Sequence, residues 1–374
     1  MGMLRQTPYY HKHKALNAEF VDRIGYAAAL HFGSVELEHK AAREDVGLFD
    51  VYSQYFLEVS GEDSLTMLQK LTVNDIAKIP AYGVVYTSMC NADGGMIDDL
   101  LVYRMADDVF RLCPTPSRMV IIEDWLRQHA SDFQVTIVNY GARFAYISVQ
   151  GPKSRELISR LTDADISASA LKYFRFTFGD VAGVPNVMIS RTGYSGELGF
   201  ELFYPTEYAE HVFDKLMEAG KDLGVRPCGL ASLATLRMEK KFPLYGLDLS
   251  PDNTPVEAGL EWTVRLKKGD FMGREVIARQ MQEGTSRRLV LLEVGDIDTP
   301  VRIGDKILVD GESVGAVTSV AKGFSVGKCL AQGYIDAKFY VDGAAASISG
   351  EQGQWQAVLR TEAVWDSKRE RTTA

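Results

Sequence analysis

Hydrophobic and polar positions follow two different periods along this chain, and the period changes with position. Residues 56–59 and 97–103 are largely apolar and are bounded by Ser60-Gly61 and by Asn91 to Gly95, which predicts strands closed by tight turns. Between them Leu65, Leu68 and Leu71 recur at i, i+3 and i+6 behind the acidic pair Glu62-Asp63, predicting a helix over Ser64–Leu71. Residues 121–129 and 208–219 read the same way. In the latter, Val212, Leu216 and Ala219 face a core while Glu207, Glu210 and Asp214 face water. The strand–helix–strand rhythm occurs twice, over residues 55–138 and 144–204, predicting two α+β units with sheets covered on one face.

Beyond residue 280 the texture shortens. A polar helix over Arg274–Glu283 leads into short strands at 289–294, 306–309, 314–320 and 344–348. Gly304-Asp305, Asp310-Gly311 and Asp342-Gly343 separate them, the turn chemistry of a small β-barrel or sandwich. Residues 366–374 are charged and small, and are expected to fray.

Composition narrows the function classes. The chain has 374 residues, 46% hydrophobic and 24% charged, which is ordinary for a globular protein of two or three domains. With 41 Lys and Arg against 50 Asp and Glu, the net charge of −9 offers no field to gather nucleic acid or an anionic membrane. Cys90, Cys113, Cys228 and Cys329 form no C-x-x-C pair, so free thiols in a reducing, cytoplasmic setting are expected and a metal site is not. No apolar run approaches a membrane span, and Tyr9 to Lys14 stand where a signal peptide would be greasy. The six histidines are scattered, and there is no G-x-S-x-G, no Rossmann glycine fingerprint and no phosphate loop.

Two acidic, glycine-flanked spots remain. Asn91-Ala92-Asp93-Gly94-Gly95 precedes Asp98 and Asp99, which open the apolar run 100–103. Neighbouring strand residues face opposite ways, so one aspartate points inward, where it needs a partner such as a ligand bearing basic nitrogens. The alternative is that both cap the hairpin in water. Arg191 to Leu202 carries Gly193, Gly196 and Gly199 with Tyr194 and Glu201. An aromatic face plus a carboxylate suits a planar heterocycle with ring N–H donors; a glycine-rich hairpin with an exposed Tyr is the other reading. Arg237 and Glu239 read as a structural ion pair, and Trp262 as core.

In this order the segments resemble the aminomethyltransferase, or glycine-cleavage T-protein, family. The match runs from Thr7-Pro8-Tyr9 to about Leu330 and includes His31 to Ser34, Val46 to Val51, Thr72 to Asp75, Cys90 to Tyr103, Gln150 to Lys153, Arg191 to Leu202, Leu236 to Glu239 and Asn253 to Leu260. The resemblance implies an α+β, three-domain cloverleaf around a central folate channel. Two mixed α/β domains with antiparallel sheets (1–54 with 140–205, and 55–139 with 206–275) precede a small C-terminal β-barrel, 280–365. It implies tetrahydrofolate as cofactor, Asp99 as catalytic acid, and Tyr86, Asp99, Thr115, Tyr194 and Glu201 as folate contacts.

The chain departs from the T-protein pattern at Tyr52-Ser53-Gln54, which replaces Ser-His-Met, at Leu233, which replaces an arginine, at Thr115, which replaces an asparagine, and at Phe242, which replaces a tyrosine. Tyr52, Leu233 and Phe242 are thereby candidate substrate contacts. No neutral residue replaces the arginine's five donors, and Gly196-Glu197-Leu198-Gly199 with Arg237-Met238-Glu239-Lys240 resemble the folate domains of dimethylglycine and sarcosine dehydrogenases. The resemblance implies first a demethylase-like transfer of a methyl or aminomethyl unit from a small donor to folate. The alternatives are the glycine-cleavage T-protein itself, with a lipoyl carrier protein as partner, and a folate-binding protein without catalysis.

Overall fold

The computed structural model describes residues 3–51 and 55–374, so Tyr52, and any role for it, lies outside the described residues. The first unit is a six-stranded sheet in the order Phe176–Val181, Val184–Ser190, Gly199–Pro205, Phe144–Gln150, Val46–Phe49, Val225–Cys228. Its neighbours run antiparallel except the last pair, which is parallel from Val225↔Val46 to Cys228↔Phe49, so the sheet is mixed rather than antiparallel throughout. Val225–Cys228 is an edge strand, where Pro227 needs no ladder donor. Val46, Leu48, Ile147, Val149, Phe200 and Leu202 build the core with Val212, Phe213 and Leu216 of the helix Ala209–Ala219.

That helix corrects the domain division expected from sequence. Residues 209–228 complete the first unit rather than the second, because their apolar stripe and edge strand find their partners there.

The second unit is a five-stranded antiparallel sheet: Val84–Cys90, Met96–Ala106, Val109–Cys113, Leu57–Ser60, Thr136–Asn139. The helices Ser64–Leu71 and Met119–Gln128 cover it, placing Met67, Leu68, Leu71, Ile122 and Leu126 against Leu57, Val59, Val102 and Leu112. Leu65, expected inside, is only partly buried; Met67 sits on the inward side instead. Residues 245–277 pack beside the hairpin of Cys90 and Met96 through Leu249, Val256, Leu260, Phe271 and Ile277.

The two sheets are joined at their edges, where Val84 N–H donates to Phe174 O (2.9 Å) and Phe176 N–H to Tyr82 O (3.0 Å). An aromatic seam of Phe56, Tyr103, Tyr146, Phe176 and Phe203 fills the space between.

The third unit is a closed antiparallel barrel: Arg287–Val294, Lys328–Asp336, Glu312–Gly323, Lys306–Val309, Ala345–Gly350, Gly353–Arg360. Two of these strands, Lys328–Asp336 and Gly353–Arg360, carry too many small and polar residues to announce themselves in sequence. The fold is therefore α+β, as expected, with two mixed units and a C-terminal barrel.

Helix Leu230–Glu239 binds the units together. Ser232, Thr235, Leu236, Arg237, Met238 and Glu239 are all buried, against the helix Val35–Glu44, the strand Tyr26–His31 and the barrel. Arg237 and Glu239 do not pair with each other, because residues two apart leave a helix on different sides. Arg237 meets Asp248 at 2.9 Å and Glu239 meets Arg43 at 2.8 Å. Among the described residues no helix is long and apolar enough to cross a membrane, and the four cysteines are buried and in no disulfide.

Candidate functional site

The hairpin Val84–Cys90/Met96–Ala106 sets the centre of the site. Its turn is capped by Asn91, whose Oδ1 accepts from Asp93 N–H (3.0 Å) and Gly95 N–H (2.8 Å). With the turn satisfied this way, the two aspartates belong to the strand, and the solvated-cap reading falls. Ser88 lies opposite Asp99, so Tyr86, two residues along, shares the face of Asp99. The Tyr86 hydroxyl donates to Asp99 Oδ2 at 2.8 Å.

Asp98 leaves the other face and accepts from Thr115 N–H at 2.9 Å, while the Thr115 hydroxyl reaches the Asp99 carbonyl at 3.5 Å. Thr115 thus closes the turn against both aspartates. Burial and the neighbouring Asp99 charge push the Asp98 carboxyl well above its usual range. Burial pushes Asp99 up to about 6, against the opposing pull of the Tyr86 hydrogen bond. Oδ1 of each has no hydrogen-bond partner among the described residues. A buried acceptor without a partner costs about 1–3 kcal/mol, so Asp99 Oδ1 is suited to a ligand donor.

Trp262 does not enter the core. It is 48% exposed and stacks on Tyr86 with ring centres 5.8 Å apart and planes 23° from parallel.

The glycine-rich segment supplies a second wall. Tyr194 stacks on Phe242 (5.7 Å, 26°), and its hydroxyl donates to the Pro243 carbonyl at 2.5 Å. Arg237 and Asp99 both act electrostatically on the Tyr194 hydroxyl, so Tyr194 stands near the aspartate strand. Glu201, paired in register with Ser148 and Ser190, is buried. Its oxygens accept from Tyr146 Oη at 2.6 Å and from Thr192 Oγ1. Burial raises its pKa while those two bonds oppose the rise.

The candidates thus gather as Tyr86, Asp99 and Thr115 on one sheet and Tyr194, Phe242 and Glu201 toward the other. Leu233 stands apart from these contacts. It packs on Ala42, Phe49, Cys228 and Leu236, an apolar cluster.

Sequence reasoning missed Arg369. Its guanidinium lies 6.0 Å from the Trp262 ring centre and 5.8 Å from that of Tyr173, bridging the two sheet units. It sits in the charged tail, where no periodic pattern marks a contact. Its own φ of +61° belongs to the left-handed region that non-glycine residues seldom enter. Among the described residues no group of three His, Cys, Asp or Glu is placed to hold a metal.

Comparisons with known proteins agree with this architecture. The model of the GCVT N-terminal domain matches residues 9–268, and that of the glycine cleavage T-protein C-terminal barrel domain matches residues 287–365. Aminomethyltransferases of Halalkalibacterium halodurans and Bacillus subtilis are 40% and 39% identical over 320 and 338 residues, covering 85% and 90% of this chain and 86% and 92% of theirs. The crystal structure of glycine cleavage system aminomethyltransferase T from Bartonella henselae superposes with a TM-score of 0.88 at 26% identity, covering 97% of this chain and 99% of that one. With both sheet units and the barrel accounted for, this chain belongs to the glycine-cleavage T-protein, or aminomethyltransferase, family.

Proposed function

We propose that this chain transfers an aminomethyl-derived one-carbon unit to tetrahydrofolate, in the manner of a glycine-cleavage T-protein. The observation that carries the reading is Asp99: a carboxylate with one oxygen held by Tyr86 and the other without a hydrogen-bond partner among the described residues, beside aromatic side chains. Those residues suit a pterin. Each Glu201 oxygen already accepts one bond and keeps a lone pair for a ring N–H donor. Tetrahydrofolate, when bound, supplies the ring nitrogen that accepts the carbon.

The protein's own part is alignment and proton handling. Tyr86, Tyr194 and Phe242 offer flat surfaces that fix a ring in place, and fixed geometry can lower a barrier by about 7 kcal/mol or more. A pKa near 6 leaves Asp99 largely ionised at neutral pH yet able to hold a proton, the range in which acid–base catalysis gains about 10²–10⁴-fold. Arg369 at the rim offers a cation to the carboxylates of a folate tail.

Sequence reading put a demethylase-like transfer first; the relatives' shared name of aminomethyltransferase reverses that order. On the T-protein reading the donor is an aminomethyl group on a lipoyl carrier protein. A methylated small donor stays the second reading, because Leu233 stands where the family pattern has an arginine and supplies no charge.

Two assays test this. Calorimetric titration with tetrahydrofolate and 5-methyltetrahydrofolate should show binding that weakens in Glu201→Ala. Ammonia release from an aminomethyl-loaded lipoyl carrier should then depend on folate. Folate-dependent demethylation without ammonia release would favour the second reading, binding without turnover of any donor a non-catalytic role. No folate binding at all would overturn the proposal.

A further inference from the structure

The tail is not frayed. Residues 364–374 run back from the barrel onto the glycine-rich segment and meet it on both sequence sides of Tyr194. Val364 and Trp365 N–H groups donate to the Glu239 carbonyl at 3.1 and 3.2 Å, and Lys240 Nζ meets Asp366 Oδ2 at 3.0 Å. Asp366 Oδ1 accepts from Glu370 N–H at 2.9 Å and so starts a last helical turn. From that turn Arg371 Nε donates to Glu197 Oε2 at 2.7 Å, and Thr372 Oγ1 to the Gly196 carbonyl at 2.7 Å. Trp365 Nε1 donates to Glu197 Oε1 at 3.0 Å. Arg191, at the other end of the segment, donates to the Thr372 carbonyl at 2.8 Å.

Both flanks of Tyr194 are therefore tied to the tail. Gly196 has φ +78°, and a segment containing such a glycine has many backbone states to choose from unless contacts select one. Gln150 and Arg43 supply contacts from inside the first unit: Ser195 Oγ donates to Gln150 Oε1 at 2.6 Å, and Arg43 NH1 to the Ser195 carbonyl at 2.9 Å.

We infer that residues 365–374 form a clamp, with Arg371 and Thr372 as positioning residues that hold Gly196-Glu197 and so present Tyr194 to the folate site. This rests on the folate reading above. Neither residue touches the site itself. Their effect passes through three peptide units to the Tyr194 ring.

The test compares wild type, Arg371→Ala/Thr372→Val and Arg371→Lys, each as the full chain. Glu197 keeps Arg43 and Trp365 as partners in every variant, so the fold survives, which circular dichroism checks. The double variant loses the Arg371 bonds to Glu197 and to the Arg43 carbonyl and the Thr372 bond to Gly196. It should bind tetrahydrofolate about tenfold more weakly by calorimetry, a modest share of three hydrogen bonds, two of them charge-assisted. Rate at saturating folate should stay within about twofold, since the aligned state is depleted rather than altered. Arg371→Lys, which keeps the charge opposite Glu197, should recover most of the affinity. Hydrogen exchange at residues 193–198 should quicken in the double variant, a readout that survives even if that variant is less stable. Unchanged affinity and unchanged exchange would overturn the clamp while leaving the folate reading intact. Failure of the wild type to bind any folate would overturn the folate reading instead, with the exchange data still deciding whether the tail orders the loop.

Discussion

Asp99 is half-buried, with its Oδ1 inaccessible, where an ionised carboxylate is disfavoured, and its pKa has a consequence for stability as well as for catalysis. Unfolded, the carboxyl titrates near 3.8; folded, near 6. The folded state thus holds the proton more tightly, a contribution fully present below pH 3.8 and lost as pH rises through 6. Asp99→Asn removes the titration, so its melting temperature should exceed that of wild type at pH 7 and converge with it toward pH 4. Turnover should meanwhile fall by about 10²–10⁴-fold with folate binding largely kept. A variant destabilised at pH 7 would show that Asp99 contributes structure rather than strain. Glu201 differs, since both its oxygens are already engaged. Glu201→Ala should weaken folate binding by about 10–100-fold, the range of a hydrogen bond to a charged group. Arg369 lies at an exposed rim, where an ion pair is worth about 1 kcal/mol at most. Arg369→Ala should therefore weaken binding of a glutamate-bearing folate by about fivefold at low salt and less at high salt. A pterin lacking the tail should bind both proteins equally.

At the scale of elements, the hairpin was legible because everything that makes it is local: Gly94-Gly95 for the turn, alternation for the strand, two aspartates behind it. Its docking was not. Gly95 packs against the segment that follows Leu249, and a Cβ there would lie 1.8 Å from the Pro251 carbonyl, a backbone atom with nowhere to go. Gly95→Ala should cost about 3 kcal/mol or more in urea unfolding; a loss under about 1 kcal/mol would mean the segment moves freely aside. The pairings of Arg237 and Glu239 show the same limit. Both residues looked like partners by sequence distance, yet helical geometry turns each toward an element more than ten residues away in sequence. Trp262 is a third instance. Nothing in its neighbours announces its place, because that place is set by stacking on Tyr86, a strand residue far away in sequence. The tail was hidden for a related reason: short, charged and aperiodic, it gains its order wholly from the partners it lands on.

For the molecule as a whole, Arg43 is the point where units converge. Its guanidinium holds Glu197 at 2.8 Å and Glu239 at 2.8 Å, all three side chains nearly inaccessible, and Glu239 in turn accepts from Ser325 of the barrel. Arg43→Met would leave two buried carboxylates short of a cation and should cost about 3–5 kcal/mol in denaturant unfolding. The order of units along the chain was readable from the change of hydrophobic period, but their exact membership was not. The parallel pairing of Val46–Phe49 with Val225–Cys228 joins segments far apart in sequence, and no local pattern encodes such a partner. That pairing also bears on how the protein is made. Val46–Phe49 is made early, yet its neighbours Phe144–Gln150 and Val225–Cys228 follow only after the strands of the second sheet have been synthesised. A growing chain must therefore carry Val46–Phe49 unpaired while the second unit is made, a hazard for mispairing in crowded surroundings. The barrel, formed from one continuous stretch, is free to close as soon as Arg360 emerges.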